Sequence, residues 1–309
     1  MADSNFMTPV EVAKAFVGIG EKKASLPAAK MFVLGILAGV YIGLAAHFAT
    51  TTATGDWHGI FGLKKMLIGA AFTVGLMLVV IPGAELFTGN NLMSVALFNR
   101  KIGLGGLFKN WFIVYLGNLV GSLVLAWMIA RGTGLLGGQI GSTAIKIAHG
   151  KVAADVPGTM SHNWDFFFRA IGCNMLVCLA VMMAIAAKDI AGKILAIFFP
   201  IMAFVASGFE HCVANMYFIP AGIWAKHFDT AVVAANSSLP YKDAIALQPE
   251  ELAVQADLAR EAMANLNWAT MWTNNLGVVT LGNIVGGVIF VGLAYFYAHV
   301  RETPAPNAK

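Results

Sequence analysis

Two short motifs carry the polar residues whose types and spacing could do chemistry in this chain. Residues 83–90 read GAELFTGN and residues 208–215 read GFEHCVAN, so that Glu85 of the first motif aligns with Glu210 of the second. Both motifs lie inside long apolar runs. A carboxylate in a membrane-length apolar segment is costly and by default marks a functional site. The repetition therefore predicts a polar pathway built from two equivalent halves.

His211 is the residue that we expect to carry the chemistry. An imidazole can hold or release a proton near neutral pH, and burial or a neighbouring charge moves that point. Most histidines on an apolar face are satisfied core residues, but His211 sits beside Glu210 at a predicted helix break in mid-membrane. The sequence leaves two roles open for Glu210 and Glu85. They either bind backbone N–H groups at the breaks or bias the histidine.

The elements that position these motifs must cross a membrane. Of 309 residues, 58% are hydrophobic and only 12% are charged, whereas ordinary soluble domains carry about 25% charged residues. Such a chain cannot hide its apolar surface in a water-soluble core. The net charge of +4 is small, and no run of Lys or Arg suggests nucleic-acid binding. We therefore predict an all-α polytopic membrane protein.

Six membrane crossings are predicted. Four uncharged runs have the length of about 20 residues that one crossing needs. They are residues 31–48, 111–130, 170–187 and 276–298. Two further runs, 66–98 and 194–225, would reach about 50 Å as straight helices, against a hydrocarbon core of about 30 Å. We expect spans 2 and 5 to break, at Pro82-Gly83 and Gly89 in the first run and at Gly208 in the second.

A second pair of motifs extends the repeat. Residues 110–121 (NWFIVYLGNLVG) match residues 275–286 (NLGVVTLGNIVG). Each half then has three spans, an odd number, so the two three-helix repeats must be inverted relative to one another. Both termini lie on one side, and the distribution of Lys and Arg favours the cytoplasm for that side. The second half is longer, and its additional residues fall at about 226–270.

These motifs resemble the signatures of the formate/nitrite transporter family, and formate channels most of all. The likeness rests on residues 85–90, 208–216, 173–174 and 281–287 and covers nearly the whole chain. It implies a homopentamer of aquaporin-like protomers that each conduct small monovalent anions or their weak acids, with nitrite and hydrosulfide as alternatives to formate. It also implies a multi-pass protein of a bacterial or archaeal plasma membrane, whose partners are lipid, protons and the anion.

The resemblance also assigns residues to the pore. It places His211 at the pore centre with Thr88 opposite, and Glu210 beside them. It gives Asn174 and Asn275 amides that can bind an oxyanion, and it makes Lys151 the basic residue of the vestibule. It further implies hydrophobic constrictions on either side of the histidine, formed by Phe72, Leu76, Leu86, Phe87 and Phe204. Such constrictions block hydrated ions. The sequence does not choose between a passive channel and proton-coupled transport.

Three regions follow from this interpretation. Residues 1–27 should hold an amphipathic cytoplasmic helix along the membrane surface, because Thr8-Pro9-Val10-Glu11 is a capping box with proline at the first helical position. Residues 28–300 form the six-span channel domain with its extended loop at 226–270, and residues 301–309 form a tail. A helix opened by residues 248–251 would either cap the outer pore mouth or pack on the pentamer rim.

Two other classes of protein fit less well. A membrane redox subunit would need paired histidines on facing spans to hold haem, but only His211 is deeply placed, since His47 and His299 lie near span ends. An intramembrane hydrolase would need a nucleophile oriented by a base, whereas Cys212 directly follows the histidine and would point elsewhere on a helix. The three cysteines show no CxxC spacing. We therefore expect no enzyme activity, cofactor or metal.

Overall fold

The computed structural model describes residues 6–153, 162–236 and 241–301, and helices dominate these ranges. In chain order they are α1 (Pro9–Ala24), α2 (Ala28–Ala53), α3 (Phe61–Val80), α4 (87–98), α5 (Leu104–Gly132), α6 (Gln139–Val152), α7 (His162–Ala186), α8 (Ile190–Ala206), α9 (Cys212–Ala225), α10 (Asp229–Asn236), α11 (Tyr241–Ala244), α12 (Pro249–Ala262) and α13 (Trp268–Val300). Residues 302–309 of the predicted tail and residues 237–240 of the long loop lie outside the described residues.

Six crossings account for the apolar helices. Among the described residues, α2, α3, α5, α7 and α13 are each long and apolar enough to cross a membrane, with mean hydropathies of 1.8 to 2.1. The shorter apolar helices α8 and α9 together make the remaining crossing. The predicted fold class is therefore confirmed. The observed helices exceed the predicted spans because polar residues at their ends still form helix where the chain leaves the hydrocarbon.

Two crossings are broken in the interior. The chain leaves helical geometry between α3 and α4, where Gly83 has φ +92°, and between α8 and α9, where Gly208 has φ +79°. Glycine alone adopts such angles without steric cost, so the breaks predicted at these two positions are confirmed. The break predicted at Gly89 is wrong, because Gly89 lies inside the first turn of α4. One interior glycine costs a helix only about 1 kcal/mol, which packing of α4 outweighs.

Close packing of small residues repeats in the two halves. A Cβ atom at Gly39 of α2 would lie 2.1 Å from the carbonyl oxygen of Asn118 in α5, so these helices touch through their backbones. In the second half, a Cβ at Gly282 of α13 would lie 2.4 Å from the carbonyl oxygen of Phe167 in α7. The pairs α2–α5 and α7–α13 are thus equivalent, as expected for inverted repeats with small residues at helix contacts.

The amino-terminal helix packs on the bundle. Thr8 and Glu11 form the predicted capping box, since the Thr8 amide donates to Glu11 Oε2 at 2.7 Å and the Glu11 amide donates to Thr8 Oγ1 at 3.4 Å. Ala13 and Phe16 are buried against α4, whereas Val10 is 42% exposed. The apolar face that we expected to lie along the membrane surface therefore mainly contacts protein. This contact places α1 next to the half-helix α4 of the first broken crossing.

The long loop forms a compact layer of helices. Helix α12 begins at Pro249, as predicted. Lys226 Nζ donates to the carbonyl oxygens of Met263 and Leu266 at 3.1 and 2.8 Å, and Arg260 Nε donates to the carbonyl oxygen of Lys226 at 3.0 Å. Burial and the nearby Arg260 charge lower the pKa of Lys226. These bonds fasten the layer to the end of α9, and helix contacts join it to α6.

Candidate functional site

Thr88 and His211 meet at the centre of the bundle, where the half-helices α4 and α9 begin. Thr88 Oγ1 lies 2.9 Å from His211 Nε2. Thr88 has no exposed surface and His211 is 3% exposed. The structure thus brings together the two residues that the family resemblance paired. Their role in conduction stays a prediction.

The imidazole of His211 also caps a helix. Its Nδ1 atom accepts a hydrogen bond of 3.0 Å from the amide of Ala214, which satisfies one of the free N–H groups in the first turn of α9. Because Nδ1 is an acceptor, the neutral ring carries its proton on Nε2 and directs it at Thr88 Oγ1. A proton added at Nδ1 would displace the capping bond. The geometry therefore leaves Nε2–H and the threonine hydroxyl as the donors at this point.

Each motif carboxylate is buried and belongs to a cluster with a partly buried lysine and a buried asparagine. In the first half, Lys23 Nζ donates to Glu85 Oε1 at 2.6 Å, and Asn90 Nδ2 donates to Glu85 Oε2 at 2.7 Å. Asn90 Nδ2 also donates to Asn110 Oδ1 at 2.8 Å. The cluster joins α1, α4 and α5 at the first break.

The second half repeats this cluster. Lys151 Nζ donates to both carboxylate oxygens of Glu210 at 2.9 and 3.0 Å, and Asn215 Nδ2 donates to Glu210 Oε2 at 2.7 Å. Asn215 Nδ2 donates to Asn275 Oδ1 at 2.7 Å, and Asn275 Nδ2 to the carbonyl oxygen of Lys151 at 3.0 Å. Within the part of the chain that the structure describes, these carboxylates accept hydrogen bonds from lysine and asparagine side chains and from no backbone N–H group, so the backbone-binding role considered for them is wrong. A neighbouring lysine neutralises each carboxylate.

Sequence reasoning missed Lys23, which no motif marks. It lies in the polar amino-terminal segment, 62 residues before its partner Glu85. The available signal was the repeat itself, because Lys151 before the second glutamate called for a lysine before the first.

Two further asparagines hold the broken backbones. Asn118 accepts a hydrogen bond from the amide of Phe87 and donates one to the carbonyl of the first motif's glutamate, both at 2.9 Å. Asn283 accepts a hydrogen bond from the amide of Cys212 and donates one to the carbonyl of the second motif's glutamate, again both at 2.9 Å. Broken backbone inside a membrane must find such partners. Asn118 and Asn283 supply these partners at the two breaks.

A cavity of about 370 Å³ opens on the side of α1. Leu76 and Leu86, each at most 3% exposed, line the end of this cavity that is nearest the centre of the bundle. Its charged lining residues are Lys22, Lys23, Lys30 and Glu85. We call this space the inner cavity.

A second cavity, of about 630 Å³, opens on the opposite side, and we call it the outer cavity. The end of the outer cavity that is nearest the centre of the bundle is lined by His211, Phe72 and Phe204. The ring centroids of Phe72 and Phe204 are 5.7 Å apart, and those of Phe204 and His211 are 6.0 Å apart in a stacked arrangement. The charged lining residues of the outer cavity are Lys64, Lys65, Lys146, Lys151, Arg169 and Glu210. Within the described residues, neither cavity is lined by residues 226–270. The placement of the long loop at the pore mouth or on the pentamer rim stays a prediction.

Four predicted pore residues line neither cavity: Thr88, Phe87, Asn174 and Asn275. The ring of Phe87 packs edge-on against Trp111 and Tyr115, with centroids 5.9 and 5.0 Å away, because it follows Leu86 directly and so points to α5. Asn174 and Asn275 are fully buried, and protein atoms already use their amides. Asn174 Nδ2, for example, donates to the carbonyl of Asn283 at 2.6 Å. These positions correct the sequence-based picture of a wall formed by all the named residues.

Comparison with known proteins agrees with this architecture. Residues 10–297 match the family described as Formate/nitrite transporter. The chain is 40% identical over 97% of its length to a probable formate transporter of Methanothermobacter thermautotrophicus, of which it covers 99%. It is 35% identical over 97% of its length to the formate channel FocA of Escherichia coli (strain K12), of which it covers 98%.

Solved structures give the same result. One is a pentameric formate channel with formate bound, which has a TM-score of 0.71 and 35% identity, with 89% of this chain and 98% of that chain covered. Another is an FNT family ion channel, which has a TM-score of 0.73 and 29% identity, with 93% of this chain and 98% of that chain covered. The matched proteins are channels and transporters, not enzymes.

Proposed function

This chain belongs to the formate/nitrite transporter family, and we propose that it forms a homopentameric channel that conducts formate through a separate pore in each protomer. The relatives named for formate and the pentameric neighbour that binds formate support the substrate and the assembly. The observation that carries the proposal is the Thr88–His211 pair between two cavities with basic linings.

The path that we propose runs from one cavity to the other through an apolar waist. We define the waist by Leu76 and Leu86 on the inner side, by Phe72 and Phe204 on the outer side, and by the Thr88–His211 pair between them. The amino-terminal ends of α4 and α9 point into this region and favour negative charge. A hydrated ion cannot keep its water shell between such side chains. The waist therefore selects solutes small enough to enter without that shell.

The Thr88–His211 pair gives an anion two hydrogen-bond donors in the middle of the waist. Taking a bare carboxylate out of water costs several kcal/mol even after relaxation. His211 Nε2–H and the Thr88 hydroxyl are buried donors 2.9 Å apart, and formate can accept a hydrogen bond from each with its two oxygens. Formate leaves either as the anion, for passive conduction, or as formic acid, if His211 first takes up a proton from water in the outer cavity and passes one to a formate oxygen, which returns the ring to its neutral form.

A competition experiment tests the substrate. The purified protein is placed in liposomes, and the uptake of labelled formate is measured against nitrite, acetate and hydrosulfide, with protein-free liposomes as control. We expect formate to cross fastest and acetate to compete weakly, because its methyl group enlarges the solute at the aromatic constriction. Preferred transport of nitrite or hydrosulfide would reassign the substrate within the family. Uptake no faster than in protein-free liposomes would contradict the proposed function.

A further inference from the structure

The charged side chains that line the outer cavity are mostly basic. Of its charged lining residues within the described chain, five are basic and only Glu210 is acidic. Glu210 is already paired with Lys151 at 2.9 Å. The charges that remain uncompensated belong to Lys64, Lys65, Lys146 and Arg169.

These four basic side chains are available to a ligand. Among the residues that the structure describes, none of the four takes part in a salt bridge. Lys65 lies 5.7 Å from the ring centroid of Phe61 and Arg169 lies 5.4 Å from that of Phe166. Such cation–π contacts position the charge without neutralising it. Lys64 and Lys65 are half-buried and Lys146 is exposed, so the charges extend from the cavity wall to its mouth.

We propose that the outer cavity binds a small polyvalent carboxylate, which occludes the pore from the side opposite α1. The volume of about 630 Å³ lies within the range of about 300–1,000 Å³ that is typical of small-molecule sites. Arginine and lysine both bind carboxylates, arginine through two parallel hydrogen bonds and lysine as a point charge. Several carboxylate groups on one molecule can engage several of these cations at once.

A ligand of this kind cannot follow formate through the waist. Each carboxylate group of a polyvalent anion must be desolvated at a cost of several kcal/mol, so a tricarboxylate pays roughly three times the cost that formate does. The buried rings of Phe72 and Phe204 bound the cavity floor. The ligand therefore stays in the outer cavity. The inner cavity offers no equal site, because it is smaller and one of its three lysines is paired with Glu85.

The test measures binding and block separately. Binding of tricarballylate to the detergent-purified protein is followed by calorimetry, with uncharged glycerol as the control ligand. This readout does not depend on the proposed function. Block is followed as inhibition of formate uptake, relative to the uninhibited rate of each variant, in vesicles whose protein orientation is read from protease cleavage of a carboxy-terminal tag. This readout rests on the proposed function.

A charge-matched pair of variants locates the site. The triple variant K64Q/K65Q/K146Q should weaken tricarballylate binding about tenfold or more. The variant K14Q/K22Q/K30Q, which removes three lysines from the side of α1, should bind as the wild type does. Block should occur only from the side opposite α1 and should weaken as salt screens the charges. Absence of binding, equal loss in both variants, or block from the α1 side would overturn the proposal. Binding without formate uptake would support the site and contradict the proposed function instead.

Discussion

His211 has two tasks that use different nitrogens of the same ring. Nδ1 accepts the amide of Ala214 and so begins α9, while Nε2 faces Thr88 Oγ1 at 2.9 Å. The ring is therefore held in one orientation by the backbone of the helix that it caps. Substitutions at this position change helix stability and pore chemistry together, so a second variant that keeps the helix cap is needed to separate the two effects.

Thr88 allows the pore chemistry to be tested without disturbing the cap. Thr88→Val keeps the shape of the side chain but removes the hydroxyl donor, and a hydrogen bond is worth about 0.5–1.5 kcal/mol. We expect formate uptake in liposomes to fall by about twofold to tenfold in Thr88→Val. Thr88→Ser keeps the hydroxyl and should stay near the wild-type rate. Equal rates for Thr88→Val and wild type would show that the hydroxyl does not bind the anion in transit.

At the scale of elements, the breaks are held by two copies of one hydrogen-bonded arrangement. Lys23 and Glu85 tie α1 to the first break, and Lys151 and Glu210 tie α6 to the second. Both glutamates are buried. Removal of only the lysine would leave a buried carboxylate without its counter-charge, which costs about 3–5 kcal/mol. The ion pairs therefore specify the positions of the half-helices.

A double-mutant cycle at the second break measures this coupling. Lys151→Met should destabilise the purified protein strongly, whereas K151M/E210Q should regain most of the loss because the unpaired charge is gone. The readout is the midpoint of thermal unfolding in detergent. The matched comparison at the first break is the double-mutant cycle of Lys23→Met and Glu85→Gln. Losses that simply add in the double variant would mean that the pair is not coupled.

The capping box of α1 predicts a dependence on pH. Hydrogen bonds from Thr8 lower the pKa of Glu11 below the value of 4.5 that it has without these partners. The stabilisation is therefore complete above that value and is lost as the pH falls through the lowered pKa of the folded state. Hydrogen exchange at the first turn of α1, corrected for intrinsic rates, should become faster in acid. Glu11→Ala should show the faster exchange already at pH 7, with little further change; an equal change with pH in both proteins would contradict this account.

The sequence predicted the elements better than the contacts between them. The two breaks followed from runs too long for one crossing, and the glycines with positive φ marked their positions. By contrast, the direction of Phe87 depends on how α4 is rotated against α5. The amides of Asn174 and Asn275 bind protein atoms that lie far away in sequence. Such pairings are fixed by tertiary packing, which local patterns do not contain.

For the molecule as a whole, the inverted halves explain why the waist is asymmetric although its scaffold is repeated. The Lys–Glu–Asn clusters and the backbone-binding Asn118 and Asn283 occupy equivalent places. At the position that begins the half-helix, however, the first half has Leu86 and the second has His211. The repeat thus builds two similar half-helix ends, and the difference at this position makes one of them polar.

The central claim is that formate crosses at the histidine, and the pH dependence of uptake tests it most directly. Formate uptake is measured in liposomes from acid to neutral pH for wild type, His211→Phe and His211→Asn. Asparagine is a good helix cap, so it separates loss of folding from loss of the imidazole. We predict that both variants change the shape of the pH profile and that His211→Phe loses about tenfold or more of the uptake at neutral pH, the equivalent of one hydrogen bond to a charged group. Profiles that coincide with that of the wild type would contradict the account.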